Sequence, residues 1–212
     1  LGEVAGIIRE LKVDQKDFFN ERADEWDESQ AKYRPHPQEL LSTLSLHRGQ
    51  DVLEIGCGSG WLLEPLARKI TPGRLYALDF SGEMLRKAAV KPISSPLVII
   101  YSDAEDIPLP DQSVDRVLMI NTFSQFPEPR RVISEVSRVL RAGGRLDIKY
   151  FFSRKEVNSH HRSKPELRSP GIPDNPILHG LLASAGFISS VADRDDCFHV
   201  TARLGKPKKR LI

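Results

Sequence analysis

The sequence predicts an α/β fold, a largely parallel sheet wound with helices on both faces. Three observations predict it. Short apolar runs alternate with helical periods between residues 51 and 152, the pattern of successive β-α-β units. A glycine-rich turn, with Gly56, Gly58 and Gly60, joins the first run to the helix that follows it. The fourth run, residues 114–120, is apolar apart from Asp115 and Arg116, as suits a central strand buried on both faces.

The elements follow in order. Residues 1–17 carry scattered apolar positions (Val4, Ile7, Ile8, Leu11). A short amphipathic helix lying on the domain is favoured there over a partner-binding arm. Residues 18–27 read as a cap helix burying Phe19 and Trp26. Two prolines stiffen the linker Tyr33-Arg-Pro-His-Pro37. A helix over 37–46 then leads to the first strand, 51–55, and a helix over 61–70 follows the glycine turn. The second strand, 74–78, ends at Asp79, and Ser81 is placed to cap a helix over 82–90. Strands are expected at 97–101 and 114–120, with a turn at 107–113 between them. Val132, Ile133, Val136, Val139 and Leu140 fall at helical spacing, which predicts a helix over 127–140 ended by Gly143 and Gly144. A fifth strand covers 145–152. Residues 153–173 are polar and proline-rich and read as a long loop, with His160, His161, Lys164 and Arg168 in it. Loops of that length are usually functional or disordered. A helix over 173–185 and two strands, 187–192 and 197–204, close the chain around an Arg-Asp-Asp turn.

Bulk properties narrow the class. At 212 residues one core is the default, with 40% hydrophobic and 28% charged residues. The net charge of +2 comes from 31 basic and 29 acidic residues. Arg203, Lys206, Lys208, Lys209 and Arg210 account for the excess, and without them the balance is 26 basic against 29 acidic. Nucleic acid is therefore not an expected partner, and residues 206–212 are expected to form a solvated, disordered tail. The two cysteines, Cys57 and Cys197, have no metal spacing and read as free thiols. No basic-then-apolar leader and no apolar run near ~20 residues is present, so a cytoplasmic location without a membrane span is expected. The chain begins at Leu1, which leaves room for residues before it.

The chemistry centres on Asp51-Val-Leu-Glu-Ile-Gly-Cys-Gly-Ser-Gly60. A strand, a glycine turn and a helix N-terminus make a site for a nucleotide-like ligand, because glycine admits the ligand close to the backbone. The dinucleotide fingerprint Gly-x-Gly-x-x-Gly is not met, since the third glycine comes one place early and Trp61 fills its position. Glu54 would repel a pyrophosphate and attract a cationic amino group. Asp79 lies 19 residues past Gly60, where an acid can accept hydrogen bonds from ribose hydroxyls.

Acidic-x-Gly-x-Gly-x-Gly resembles the first motif of class I S-adenosylmethionine-dependent methyltransferases. The resemblance continues through Leu75-Tyr-Ala-Leu-Asp79, Ser102-Asp-Ala-Glu-Asp-Ile-Pro-Leu-Pro110, Val114-Asp-Arg-Val-Leu-Met-Ile-Asn121 and Glu135-Val-Ser-Arg-Val-Leu-Arg-Ala-Gly-Gly144. Order and spacing are similar to the ubiquinone/menaquinone-biosynthesis (type 11) group over residues 18 to 150. It implies a Rossmann-like, doubly wound seven-stranded sheet of order 3-2-1-4-5-7-6 with the last strand antiparallel. It also implies an N-terminal helical cap (1–46), a cofactor-binding core (47–205) and S-adenosylmethionine as cofactor, with S-adenosylhomocysteine as product. Glu54 and the Gly56 backbone would hold the methionine part, Asp79 the ribose, Phe80 the adenine face, and Asp103 and Ala104 the adenine edge, with Cys57 and Gly58 also among the cofactor-binding residues. Asn121 would stand at the end of the fourth strand.

Relatives often carry a histidine-containing stretch after that strand, but here it is Ser124-Gln125-Phe126. No catalytic base is assigned on this ground; His36, Tyr33, Gln125 and His161 are the polar candidates. The His160-His161 pair does not imply a metal, since adjacent residues do not share a helix face. The expected activity is methyl transfer to a small-molecule acceptor. The alternatives are an idle cofactor-binding interaction module and a nucleic acid or protein methylase. Asn121-Thr-Phe-Ser lacks the prolines base methylases often carry. The sequence does not set the oligomeric state.

Overall fold

A computed structural model describes residues 2–164 and 169–205. The expected tail, 206–212, lies outside the described residues, as do residues 165–168 of the expected loop.

The sheet has seven strands: β1 (Val52–Ile55), β2 (Leu75–Asp79), β3 (Leu97–Tyr101), β4 (Val114–Ile120), β5 (Leu140–Tyr150), β6 (Phe187–Arg194) and β7 (Cys197–Leu204). Their order is β3-β2-β1-β4-β5-β7-β6. The first five are parallel, and β7 runs antiparallel to both β5 and β6. The Rossmann-like topology implied by the motifs is thus the observed one.

Helices α4 (Leu63–Ile70) and α5 (Gly82–Ala89) form the βα crossovers, and α3 (Pro37–Ser42) packs beside α4. They cover one face, with Leu40, Leu44, Leu66 and Ile70 on Val52, Leu75, Ala77, Leu118 and Ile120. On the other face α6 (Pro129–Val139), α7 (Arg154–Arg162) and α8 (Asn175–Ser184) enclose a larger core. Val132, Ile133, Val136, Val139, Leu178 and Leu182 pack there on Val117, Met119, Ile148, Phe198 and Val200. The α3-side face of strands β5 and β7 is of a different character. That stripe is polar, with Asp147, Lys149, His199 and Thr201 on it.

The N-terminal region departs from expectation. Two helical pieces were expected; one continuous helix, α1 (Gly2–Arg22), spans both, followed by α2 (Trp26–Ala31). The polar run Lys12 to Asp17 reads as a break but is an outer face and a set of contacts. α1 crosses α5. Phe19, Ala23 and Met84 form a small cluster with Phe18, Trp26 and Phe80 at its edge.

Two other expectations need correction. The helix before β5 ends at Val139, one residue short of expectation, but β5 begins at once with Leu140 and not at Arg145, across a register shift between Val114 and Arg116. The expected loop 153–173 contains α7. Ser153 caps it by accepting the Glu156 N–H, and the Glu156 side chain accepts the Ser153 N–H in return. That reciprocal pair satisfies two otherwise orphaned donors.

Candidate active site

The cleft opens at the C-terminal ends of β1, β2 and β4, where strand order reverses. Ligands bind at such a switch point in open α/β sheets. It encloses about 1070 Å³, part of it open to solvent.

The glycine turn forms its floor. Gly56 has φ +73°, and a Cβ there would collide with the Thr122 side chain. Any larger residue would push Thr122 out of the cleft wall. Gly60 serves a different purpose: its Cβ would come within 2.8 Å of Leu63 Cδ1 and 2.9 Å of Ala88 Cβ. It is the contact point of α4 and α5, not of a ligand.

Asp79 ties the turn to β2. Its Oδ2 accepts the Gly58 N–H at 2.8 Å, and its Oδ1 accepts the Ser81 N–H at 2.9 Å. Burial raises its pKa to about 6, against the pull of those backbone donors. Ser81 caps α5 by accepting the Met84 N–H, which leaves Asp79 to face the cleft.

Glu54 lies on β1 and is 2% exposed. Its Oε2 is buried with no hydrogen-bond partner. Burial, and then the charge of nearby Asp79, raise its pKa to about 8. Asp79 ionises first, and its charge then holds the proton on Glu54. Two buried carboxyls and an orphaned oxygen form a site that a cationic ligand would satisfy. Cys57 shares this surrounding; burial pushes its thiol up as well, so it stays protonated.

Gly56, Cys57, Gly58, Asp79, Phe80, Asp103, Ala104 and Asn121 all line the cleft, together with Tyr33 and Gln125. Glu54 lies outside the lining. Asn121 takes a left-handed conformation, φ +54°, which asparagine tolerates better than most residues. Its N–H donates to the Lys149 carbonyl at 2.8 Å, and its Oδ1 accepts the Phe151 N–H at 3.3 Å. Those bonds hold the chain turned just past β4. His36 is exposed at the N-cap of α3 and does not line the cleft. His161 lies in an adjoining cavity, its Nδ1 bonded to Ser169 Oγ. Burial, with His160 and Lys164 nearby, lowers its pKa to about 4.

The helical cap over the cleft is implied by the resemblance, but the contacts that hold it could not be read from local sequence. Lys12 of α1 bridges to Asp103 at 2.8 Å and Glu105 at 2.7 Å. Asp27 of α2 accepts from Ser59 at 2.5 Å, Lys91 at 2.8 Å and Arg34 at 3.0 Å. Burial alone would raise the Asp27 pKa, but these bonds bring it down to about 2. Trp26 Nε1 lies 3.7 Å from where a Gly58 Cβ would be, so the indole covers the turn. Asn20 accepts from Ser81 Oγ at 2.7 Å. Partners of this kind are tens of residues apart, beyond any periodicity signal.

Fold and cleft define the class: a Rossmann-like domain whose glycine turn and paired buried carboxylates suit a cationic, nucleoside-bearing ligand. Residues 53–148, just under half of the chain, match the methyltransferase domain family, which supports the resemblance to class I S-adenosylmethionine-dependent methyltransferases of the type 11 group. A rice (Oryza sativa subsp. japonica) 2-methyl-6-phytyl-1,4-hydroquinone methyltransferase is 32% identical over 119 residues, 56% of this chain and 33% of that protein. A phosphatidylethanolamine N-methyltransferase of Cereibacter sphaeroides is 33% identical over 133 residues, 61% of this chain and 64% of that one. A SAM-dependent methyltransferase from Aquifex aeolicus superposes with TM-score 0.68 at 25% identity, over 87% of this chain and 98% of that one. The chain thus spans about a third of the rice enzyme's length and less than two thirds of the bacterial one. Among the described residues, no helix is long and apolar enough to cross a membrane.

Proposed function

We propose that this chain transfers the methyl group of S-adenosylmethionine to a small-molecule acceptor with an aromatic or other flat apolar body. The observation that carries this is a second cavity joined to the cofactor cleft. Phe19, Trp26, Gln30, Tyr33, Asn121 and Gln125 line both. The second cavity adds Phe18 and Phe152, with Arg22, His160 and Lys164 at one side. Tyr33 and Phe152 meet edge to face at 6.0 Å across its mouth.

Glu54 and the Gly56 backbone would hold the methionine part, Asp79 the ribose hydroxyls, and Asp103 the adenine amino group. Bound there, S-adenosylmethionine supplies a methyl group on a sulfonium that leaves as a neutral thioether. The chain's task is then to align the acceptor and exclude water, which is worth up to ~7–11 kcal/mol when geometry is ideal. Trp26 and α1 close the cleft from above, and Asn121 and Gln125 offer hydrogen bonds at the junction of the cavities. Proton removal is not this chain's strength. Gln125 carries no titratable proton, and His161, with a pKa of about 4, is a weak base. The acceptor suited to this site needs little help in losing its proton.

Calorimetric titration with S-adenosylmethionine and S-adenosylhomocysteine tests the cofactor, with Asp79→Ala as control. Binding by the wild type that the variant loses is the expected result; folded wild type that binds neither ligand refutes the proposal. Transfer of labelled methyl to phenolic and quinol-like acceptors tests the acceptor class. Label appearing only in RNA or protein would move the assignment to a macromolecular methylase.

A further inference from the structure

We propose that the groove between α3 and the polar stripe of β5 and β7 binds a phosphate-type oxyanion through Lys149. Lys149 points from the middle of the sheet into this groove and is only 8% exposed. Its ammonium has no hydrogen-bond or ion-pair partner among the described residues. The side chain is largely buried while its ammonium opens on the groove, a cation with no carboxylate paired to it. A sheet that keeps one on an open groove has left room for an anion.

The neighbours do not neutralise it. Asp147, two residues back on the same face, is fully buried, and its oxygens are already taken. Arg116 lies at 2.6 Å, Arg145 at 3.1 Å and His199 Nε2 at 3.0 Å. His199 stands directly opposite Lys149 in the β5–β7 register, which puts their Cβ atoms ~5 Å apart. The groove's two carboxylates, Glu39 and Asp196, are exposed and make no ion pair with Lys149. Lys32 and Arg194 add cations at its rim. One buried carboxylate therefore faces several cations, and the surplus is positive.

The ligand chemistry follows. A tetrahedral oxyanion offers several acceptors to donors arriving from different sides. Leu40 and Pro35 supply an apolar wall for whatever carries it. A phosphate monoester in solution and a phospholipid headgroup share this chemistry. Lys149 and Arg194 line this groove and not the cofactor cleft, so failure here and failure there are distinguishable.

The test is thermal unfolding and calorimetry with inorganic phosphate at constant ionic strength, on wild type, Lys149→Met and Arg194→Gln. Lys149→Met keeps the length of the side chain and removes the charge. The expected result is saturable phosphate binding that raises the unfolding temperature. Lys149→Met should weaken it by about tenfold or more, the order of a charge-assisted bond, and Arg194→Gln by a smaller factor. Both variants should still bind S-adenosylhomocysteine, which shows that they are folded. Should Lys149→Met fail to fold, the exposed Arg194→Gln carries the test alone. A phosphate effect equal in wild type and variant, or one matched by chloride, overturns the proposal. Glycerol 3-phosphate against vesicles of phosphatidylcholine doped with phosphatidic acid then separates the two sources. Binding of either, sensitive to Lys149, supports the site; binding of neither overturns it.

Discussion

Glu54→Gln should stabilise the ligand-free protein at alkaline pH and weaken its hold on the cofactor. The carboxyl ionises near pH 8 when folded, against an ordinary 4.5. A raised acid pKa means that the folded state holds its proton longer than the unfolded chain. The unfolded chain therefore releases its proton first as pH rises through that gap, and folded stability falls between about 4.5 and 8. Each pH unit is worth ~1.4 kcal/mol, so the ceiling on the loss is about 5 kcal/mol. Relaxation and water entry reduce it, and about 1–3 kcal/mol is the working expectation. Glutamine is neutral and nearly the same shape. At pH 5 the two proteins should unfold at nearly the same urea concentration, while at pH 8.5 the variant should be the more stable. Titration with S-adenosylmethionine should show the opposite order, because the charge that burdens the empty site is the one a cation uses. Parallel stability curves for the two proteins from pH 5 to 8.5 would refute the reasoning. So would undiminished cofactor affinity in the variant.

Four further outcomes are expected. Gly56→Ala should abolish S-adenosylhomocysteine binding in calorimetry while the chain still folds, because its φ of +73° and the Thr122 contact forbid a Cβ. Asp27→Asn should speed cofactor release in stopped-flow fluorescence of Trp26. In the wild type, Asp27 has a lowered pKa, so its support of the lid should be lost as pH falls from about 4 to 2. Ser153→Ala should cost ~1 kcal/mol of α7's capping energy and speed amide exchange in residues 154–162. Phe198→Ala, at 0% exposure between Tyr150 and the β5–β7 core, should cost ~3–5 kcal/mol by denaturant unfolding.

Much of the core was legible because strands and crossovers obey short-range rules. The bounds 97–101, 114–120 and 197–204 match the observed strands, since each is a β-rich run closed by turn residues. Eight of the nine residues expected to bind the cofactor line the cleft, because they are local to the turn and the strand ends that build it. Glu54 is the ninth; it does not line the cleft itself, and its carboxyl is buried just behind the turn, near Asp79. Loop 153–173 was misjudged because its prolines and charges outweighed one readable signal, Ser153 three residues before Glu156. α1 was split because its middle is polar, and the reason for that polarity, Lys12 meeting Asp103 and Glu105, lies 91 and 93 residues away. Lys149 left no mark of its own, since Arg145 and Asp147 alternate with it along the same strand. Its isolation became visible only once β7 was placed beside it.

The reversal of strand order between β1 and β4 divides the chain into two halves that meet at a single seam. Val52 pairs with Arg116 there, so the seam closes only after more than sixty residues of intervening chain have found their places. The ligand cleft straddles it: Gly56, Asp79 and Asp103 come from the early half, and Asn121, Gln125 and Phe151 from the late one. A molecule bound across the seam holds both halves at once and has no counterpart in the unfolded chain. At a hundredfold excess over its dissociation constant it adds about 2.7 kcal/mol to that closure. Proteolysis and hydrogen exchange at the seam should therefore slow as cofactor is added, while the far hairpin of β6 and β7 responds less. The cofactor is in that sense a late part of the fold, supplied from solution.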